Sequence, residues 1–186
     1  LLETDANAFF SARNRKAGYT LFGGGIFQQY RDVNNDGFTE IPSFRNIYLH
    51  PTLFLYLRNR GILRISLNSN YLNEKGGDVR AVKNKPDSVH AFYVANRSVR
   101  NTLTVSCAPS PGEQGFSATA SLSHFYRNIE TNRFTLDAGQ FSLYSEANYL
   151  RLFSRDKLVA GLNLNGEFFR VLRGDSLRFG NRDEMT

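Results

Sequence analysis

Apolar and polar residues take turns along most of this chain. From Ile62 to Tyr71, Leu63, Ile65, Leu67 and Tyr71 fall on one side of an extended strand, and Arg64, Ser66, Asn68 and Asn70 on the other. The period recurs in Phe116 to Tyr126, where Phe116, Ala118, Ala120 and Leu122 oppose Ser117, Thr119, Ser121 and Ser123. It recurs again in Phe141 to Tyr149 and in Leu158 to Phe168, where Leu162 and Leu164 alternate with Asn163 and Asn165. A period of two with unlike sides is the mark of strands whose two faces meet different surroundings. Eight strands are predicted, over 6–12, 18–30, 47–57, 62–73, 98–108, 115–127, 139–153 and 158–171.

The connections add a second rhythm. Short ones are expected at Arg13–Ala17, Arg58–Gly61, Pro109–Gln114 and Ser154–Lys157, and long ones at Arg31–Asn46, Asn73–Arg97 and Asn128–Ala138. In an up-and-down sheet every second connection emerges at the same end. Short turns at one end and long loops at the other describe a transmembrane barrel with periplasmic turns and extracellular loops. The expected fold is therefore an all-β, antiparallel up-and-down meander of about eight strands, part of a transmembrane β-barrel. Arg64, Asn68, Asn70, Asn163, Asn165 and Glu167 would face its interior, and Leu63, Ile65, Leu67, Leu143, Leu162 and Leu164 would face lipid. A soluble sheet covered on one side alternates in the same way. A β-sandwich module that binds glycans stays open on this evidence. So does a small eight-stranded outer-membrane barrel with a structural or adhesive role, whose first and last strands would pair. Tyr30, Tyr48, Tyr71 and Tyr126 lie towards the long loops, and Tyr56 and Phe153 towards the short turns, as two interfacial girdles would require. Gly23, Gly24 and Gly25 interrupt the second strand, where a bend or a closely approaching neighbour is expected.

Composition narrows the classes. With 16 Phe, 9 Tyr and no Trp, the aromatic residues favour strands. No apolar run approaches the ~18–20 residues of a spanning helix, so any crossing of a membrane must use strands. A net charge of +6 invites a nucleic-acid reading, but the basic residues are scattered singly or gathered at turns, as in Arg13-Asn14-Arg15-Lys16 and Arg58-Asn59-Arg60. Solvated turn charge is the plainer account, and no nucleic-acid partner is expected. The single cysteine, Cys107, excludes an intramolecular disulfide framework and reads as a small apolar strand residue. The chain opens on Leu1-Leu2-Glu3 and closes on Glu184-Met185-Thr186, and the expectation is a fragment whose export signal lies upstream.

Particular residues then carry a resemblance. The stretch Arg31-Asp32-Val33-Asn34-Asn35-Asp36-Gly37-Phe38-Thr39-Glu40-Ile41-Pro42 precedes Tyr48-Leu49-His50-Pro51-Thr52-Leu53-Phe54-Leu55-Tyr56, and Asn73-Glu74-Lys75-Gly76-Gly77-Asp78 follows. This arrangement resembles the early barrel region of TonB-dependent outer-membrane receptors of the Bacteroidetes type. There a "D-x-N-x-D-G-F-x-[DE]-x-P" loop comes before a "P-x-L-F-x-Y" strand, and an "E-x-x-G-G-D" ends the next one. The resemblance covers most of the chain. It implies that residues 1–186 are the N-terminal hairpins of a 22-stranded barrel filled by a plug domain. It also implies import of a scarce nutrient (a ferric siderophore, haem, cobalamin or an oligosaccharide) at the bacterial outer membrane, driven by the TonB complex. The partners would be outer-membrane lipid, the plug domain of the same chain, the TonB complex and a small nutrient ligand. The plug and the TonB box are not in this sequence.

Two loops carry candidate chemistry. Asp32, Asn34 and Asp36 followed by Gly37 place oxygen ligands at the alternate positions of a calcium loop, and Glu40 adds a carboxylate. An EF-hand would need a Glu where Ser43 stands, so a turn bonded by its own side chains is the alternative, and Ca2+ is the possible cofactor. The second long loop holds Lys75, Arg80, Lys83, Lys85, His90 and Arg97 beside Phe92 and Tyr93. Lys83, Lys85, Arg97, Phe92 and Tyr93 are the candidate contacts for an anionic ligand, against the reading of a solvated loop. No enzyme is expected. His50, His90 and His124 are scattered without zinc spacing, no G-x-S-x-G elbow occurs, and Arg173-Gly174-Asp175-Ser176 is a chance RGD string.

Overall fold

The computed structural model describes residues 3–58, 61–85, 87–109, 114–154 and 156–173. Parts of three expected turns (residues 59–60, 110–113 and 155) and residues 174–176 of the RGD string lie outside them. Eight strands follow one another as β1 (Glu3–Arg13), β2 (Ala17–Gln28), β3 (Ser43–Tyr56), β4 (Ile62–Gly77), β5 (Tyr93–Ala108), β6 (Gly115–Thr131), β7 (Thr135–Leu152) and β8 (Lys157–Arg173). A four-residue helix, α1 (Val79–Val82), lies between β4 and β5. All eight strands form one antiparallel sheet in sequence order, the meander that the alternation predicts.

Register turns the alternation of each strand into the faces of a sheet, because directly opposed residues point the same way. Leu55, Leu63, Cys107, Ala118, Ala147 and Leu162 form one continuous row from β3 to β8. The next row on that face is Leu53, Ile65, Val105, Ala120, Ser145 and Leu164. The opposite face runs Arg64, Ser106, Thr119, Glu146 and Asn163, then Ser66, Thr104, Ser121, Tyr144 and Asn165. A slip of one residue at any ladder would put leucines among the asparagines.

Among the described residues nothing covers the apolar face. Among the described residues the buried hydrophobic ones are Ala81, Ala95 and Ala138, and no large side chain is fully buried. Leu122 is 50% exposed, Leu143 45% and Leu162 82%. The surface of 13446 Å² far exceeds the ~9,000 Å² of a compact globular protein of the same mass. The arrangement of a sandwich, with Leu63, Leu143 and Leu162 packed together, is not adopted. Nor is the sheet closed. Among the described residues strand contacts run between sequence neighbours, and no β1–β8 ladder forms. β1 is exposed along its whole length and β8 along nearly all of it.

Three expectations change. The strands run further at the loop end than the pattern predicts. Asn128–Ala138, read as a long loop, is instead the ends of β6 and β7 joined by the tight turn 132–134. Its polar residues are strand positions beyond the apolar rows. There Asn128 pairs with Asp137, and Thr131 closes the turn by accepting from the amides of Arg133 and Phe134. Two long connections therefore remain at that end, 29–42 and 78–92. Gly23, Gly24 and Gly25 do not interrupt β2, which pairs through them on both sides. They make room: a Cβ on Gly24 would stand 2.6 Å from the Ala6 carbonyl oxygen and 2.8 Å from the Tyr48 hydroxyl. Finally, Tyr48 and Tyr56 share the polar face, opposite Asn70 and Ile62, whereas Tyr71 and Tyr126 lie on the apolar face. Proximity to a strand end does not fix the side of a residue; parity does.

Candidate functional site

Several side chains of the polar face bond one another. Thr102 and Ser123 hydroxyls lie 2.9 Å apart, Thr104 and Ser121 hydroxyls 3.0 Å apart, and the Asn70 amide donates to the Asn46 side chain at 2.7 Å. Glu146 accepts from Tyr144 and Asn148, its neighbours two residues away on the same strand face. A shallow groove of about 290 Å³ opens among Ser121, Ser123, Ser142, Tyr144, Asn165 and Glu167. This carpet of hydroxyls and amides suits water or a polar polypeptide.

Beyond the last rows, the two long connections are built onto each other. Thr39 is buried. Its backbone amide and hydroxyl both donate to the Gly77 carbonyl, and its hydroxyl accepts from the Gly77 amide. The Val79 amide donates to the Gly37 carbonyl, and the Phe38 and Phe92 rings stack 5.8 Å apart. Gly77 has φ +129, and a Cβ there would lie 2.4 Å from the Phe92 carbonyl oxygen, which accounts for a glycine at this crossing.

That scaffold holds the acidic loop. The side-chain oxygens of Asp32, Asp36 and Glu40 can all lie within 4.8 Å of one another. Most of them already serve the turn. Asp32 Oδ2 accepts from the Gly37 amide, Asp36 Oδ1 from the Phe38 amide and Glu40 Oε2 from the Val33 amide, while Asn34 bridges to Asp36 in both directions. Asn35 and Gly37 take positive φ, as a sharp Asx-rich turn requires. One oxygen is left over: Asp32 Oδ1 is buried without a partner. The three carboxylates and the Asn34 carbonyl form an oxygen set of the kind that holds a hard cation such as Ca2+. The bonds satisfy the turn reading: it uses one oxygen of each of Asp32 and Glu40 and both oxygens of Asp36.

The five candidate ligand contacts do not form one site. Lys83 lies over the Tyr30 ring at 5.8 Å, and Phe92 stacks on Phe38. Lys85 joins the turn after α1 through its amide. Tyr93 and Arg97 belong to β5 and share the side of Val99 and Val105, the apolar face. There Tyr93 donates to Glu130 at 2.6 Å and lies under Lys75, 5.0 Å from its ring. Sequence reading missed the Asp87 knot, in which one carboxylate accepts from Arg80, from the Val89 and His90 amides and from the His90 ring. The His90 amide first, then the Val89 amide, the His90 ring and Arg80, hold that carboxyl well below the usual carboxylate range. Its signal was present in the spacing Asp87-x-Val89-His90, an Asx turn after a proline.

Set against known proteins, the chain matches no family model, no curated protein and no solved structure.

Proposed function

We propose that this chain is a sector of the wall of an outer-membrane β-barrel, in a TonB-dependent-receptor-like importer of a scarce nutrient. One observation carries the membrane part of the reading: an eight-stranded sheet whose apolar face is continuous, exposed and without any covering layer among the described residues. Soluble monomers rarely leave contiguous apolar patches above a few hundred Å². Hydrocarbon tails are the cover that suits strands whose other face is wet.

The dimensions support it. On β6 the apolar face runs from Phe116 to Tyr126. At ~3.3 Å per residue that is ~33 Å along the strand, or ~25 Å of height at roughly the 35–45° tilt of barrel strands. That height is the thickness of a bilayer-facing band. Aromatic residues close it at both ends, with Phe116 and Tyr149 paired at one and Tyr71 and Tyr126 at the other. The import part of the reading rests on the resemblance of the Asp32–Pro42 and Tyr48–Tyr56 stretches alone. In this reading the strands are scaffold, and catalysis has no place in the chain.

Labelling in the full-length protein tests the wall. In a Cys107→Ala background, single cysteines from Ala118 to Phe125 should react with a charged, membrane-impermeant thiol reagent at every second position, Ser123 but not Leu122. Uniform reactivity along β6 would defeat the reading. Import is tested in whole cells. Loss of the gene should abolish uptake of one among a ferric siderophore, haem, cobalamin and an oligosaccharide, and unchanged uptake of all four would remove it.

A further inference from the structure

The apolar face is not apolar throughout. One of its rows, Ser69, Asn101, His124 and Phe141, crosses β4 to β7 in register. The row on one side of it is Leu67, Leu103, Leu122 and Leu143, and the row on the other is Tyr71, Val99, Tyr126 and Gly139. Three neighbouring polar side chains therefore interrupt the face between the leucines and the tyrosines.

These three satisfy one another only in part. The Ser69 hydroxyl donates to the Asn101 side-chain carbonyl at 2.7 Å, and the His124 ring packs on Phe141 with centroids 4.5 Å apart. Among the described residues nothing accepts from the Asn101 side-chain nitrogen, and neither ring nitrogen of His124 has a hydrogen-bond partner. Both side chains are half-buried, and Leu103 and Leu122 beside them are half exposed. The unmet groups thus look outward with the leucines. Against hydrocarbon each of them would cost several kcal/mol, because acyl chains offer neither donor nor acceptor.

We propose that the Ser69–Asn101–His124 row is the contact through which two copies of this chain associate side by side in the membrane. The inference rests on the membrane-wall reading. Hydrogen-bond complementarity selects a second copy as the occupant. A carboxamide carries both a donor and an acceptor, so a two-fold axis beside Asn101 lets two such groups satisfy each other, nitrogen to carbonyl in both directions. The neutral imidazole of His124 also carries one donor and one acceptor, and adds a second self-complementary group one strand away. Side chains of this kind bond between segments within membranes, where apolar surfaces alone give little preference for protein over lipid. Across β4 to β7 this row and the two beside it hold no Asp, Glu, Lys or Arg. Like copies therefore do not repel, and no charge calls for a partner of opposite sign.

Energy transfer between copies in vesicles tests the contact. The full-length protein carries Val89→Cys, at an exposed loop residue, as its sole cysteine, and donor-labelled and acceptor-labelled samples are reconstituted together. Transfer should exceed that of randomly placed molecules and fall on dilution with lipid. Asn101→Leu and His124→Leu should each weaken association about fivefold, whereas Asn101→Gln should keep most of it. Leucine suits a site facing lipid, so neither leucine change should disturb the alternate thiol labelling of β6, measured in parallel. With that alternation intact, transfer at the random level in the parent, or transfer that survives both leucine changes, overturns the contact and leaves the wall standing. Uniform labelling along β6 overturns the wall and the contact together.

Discussion

Leu122 and Ser123 are consecutive residues of β6 with opposite circumstances. Leu122 stands half exposed between Leu103 and Leu143, while Ser123 is bonded across the ladder to Thr102. The polar face completes part of its own interactions, hydroxyl to hydroxyl and amide to amide. The leucine rows of the apolar face have no covering layer among the described residues, and draw their stability from whatever lies against them. The same eight strands thus present one surface that the chain partly finishes and one that its surroundings must finish.

The sharpest way to break that contrast is charge. In vesicle-reconstituted full-length protein, Leu122→Arg should lower the unfolding free energy by ~2–4 kcal/mol if the proposed wall reading holds, the cost of a cation near mid-depth on a face against lipid. Ser123→Arg should change it by less than ~1 kcal/mol, since an interior of polar groups accepts it. Equal losses in denaturant titrations would erase the distinction between the faces. Steric crowding separates the faces next. Gly24→Val forces a side chain against Ala6, Asn7 and Tyr48, and should cost ~1–3 kcal/mol. Gly166→Ala, where an added Cβ meets nothing within 4 Å, should be neutral within ~0.5 kcal/mol in the same titrations.

The loop end gives smaller effects. Calcium at ~10 times its dissociation constant should stabilise the 32–40 loop by ~1.4 kcal/mol, seen as roughly tenfold slower amide exchange. Asp32→Asn should abolish that protection and leave exchange in β4 to β7 unchanged; protection indifferent to calcium would assign the acidic loop to turn-making alone. The smallest effect concerns Asp87. Its carboxyl is held below the ordinary range, so its contribution is complete above the unfolded value near 3.8 and is lost as pH falls through the lower folded value. Amides of residues 87–92 should therefore keep their protection from neutral pH to about pH 4 and lose it only below. Asp87→Asn should remove the protection at every pH, and a loss centred at or above pH 4 would refute the knot.

Much of the architecture was legible because period-two alternation is a local property. Each strand announces its own faces, and Leu63, Leu143 and Leu162 fall on one side as read. Strand ends were not legible, because beyond the apolar rows both faces are wet and the alternation stops. Asn128, Glu130 and Thr135 look like loop and are ladder. Tyr48 and Tyr56 show the related failure, since nearness to a turn says nothing about parity. At the loops, Asp32, Asp36 and Glu40 were legible because their spacing is short-range. The separation of Arg97 from Lys83 was not, since it depends on where β5 begins.

The unpaired margins of β1 and β8 have a consequence for how such a sheet reaches its destination. Each carries a column of peptide groups with no neighbour to bond, and in a hydrocarbon setting every such group costs several kcal/mol. A ribbon of this kind cannot be threaded into a bilayer by itself and wait there. If the sheet is a sector of a barrel wall, as proposed, its insertion must be simultaneous with the arrival of adjoining strands, so biogenesis and completion of the ring become one event.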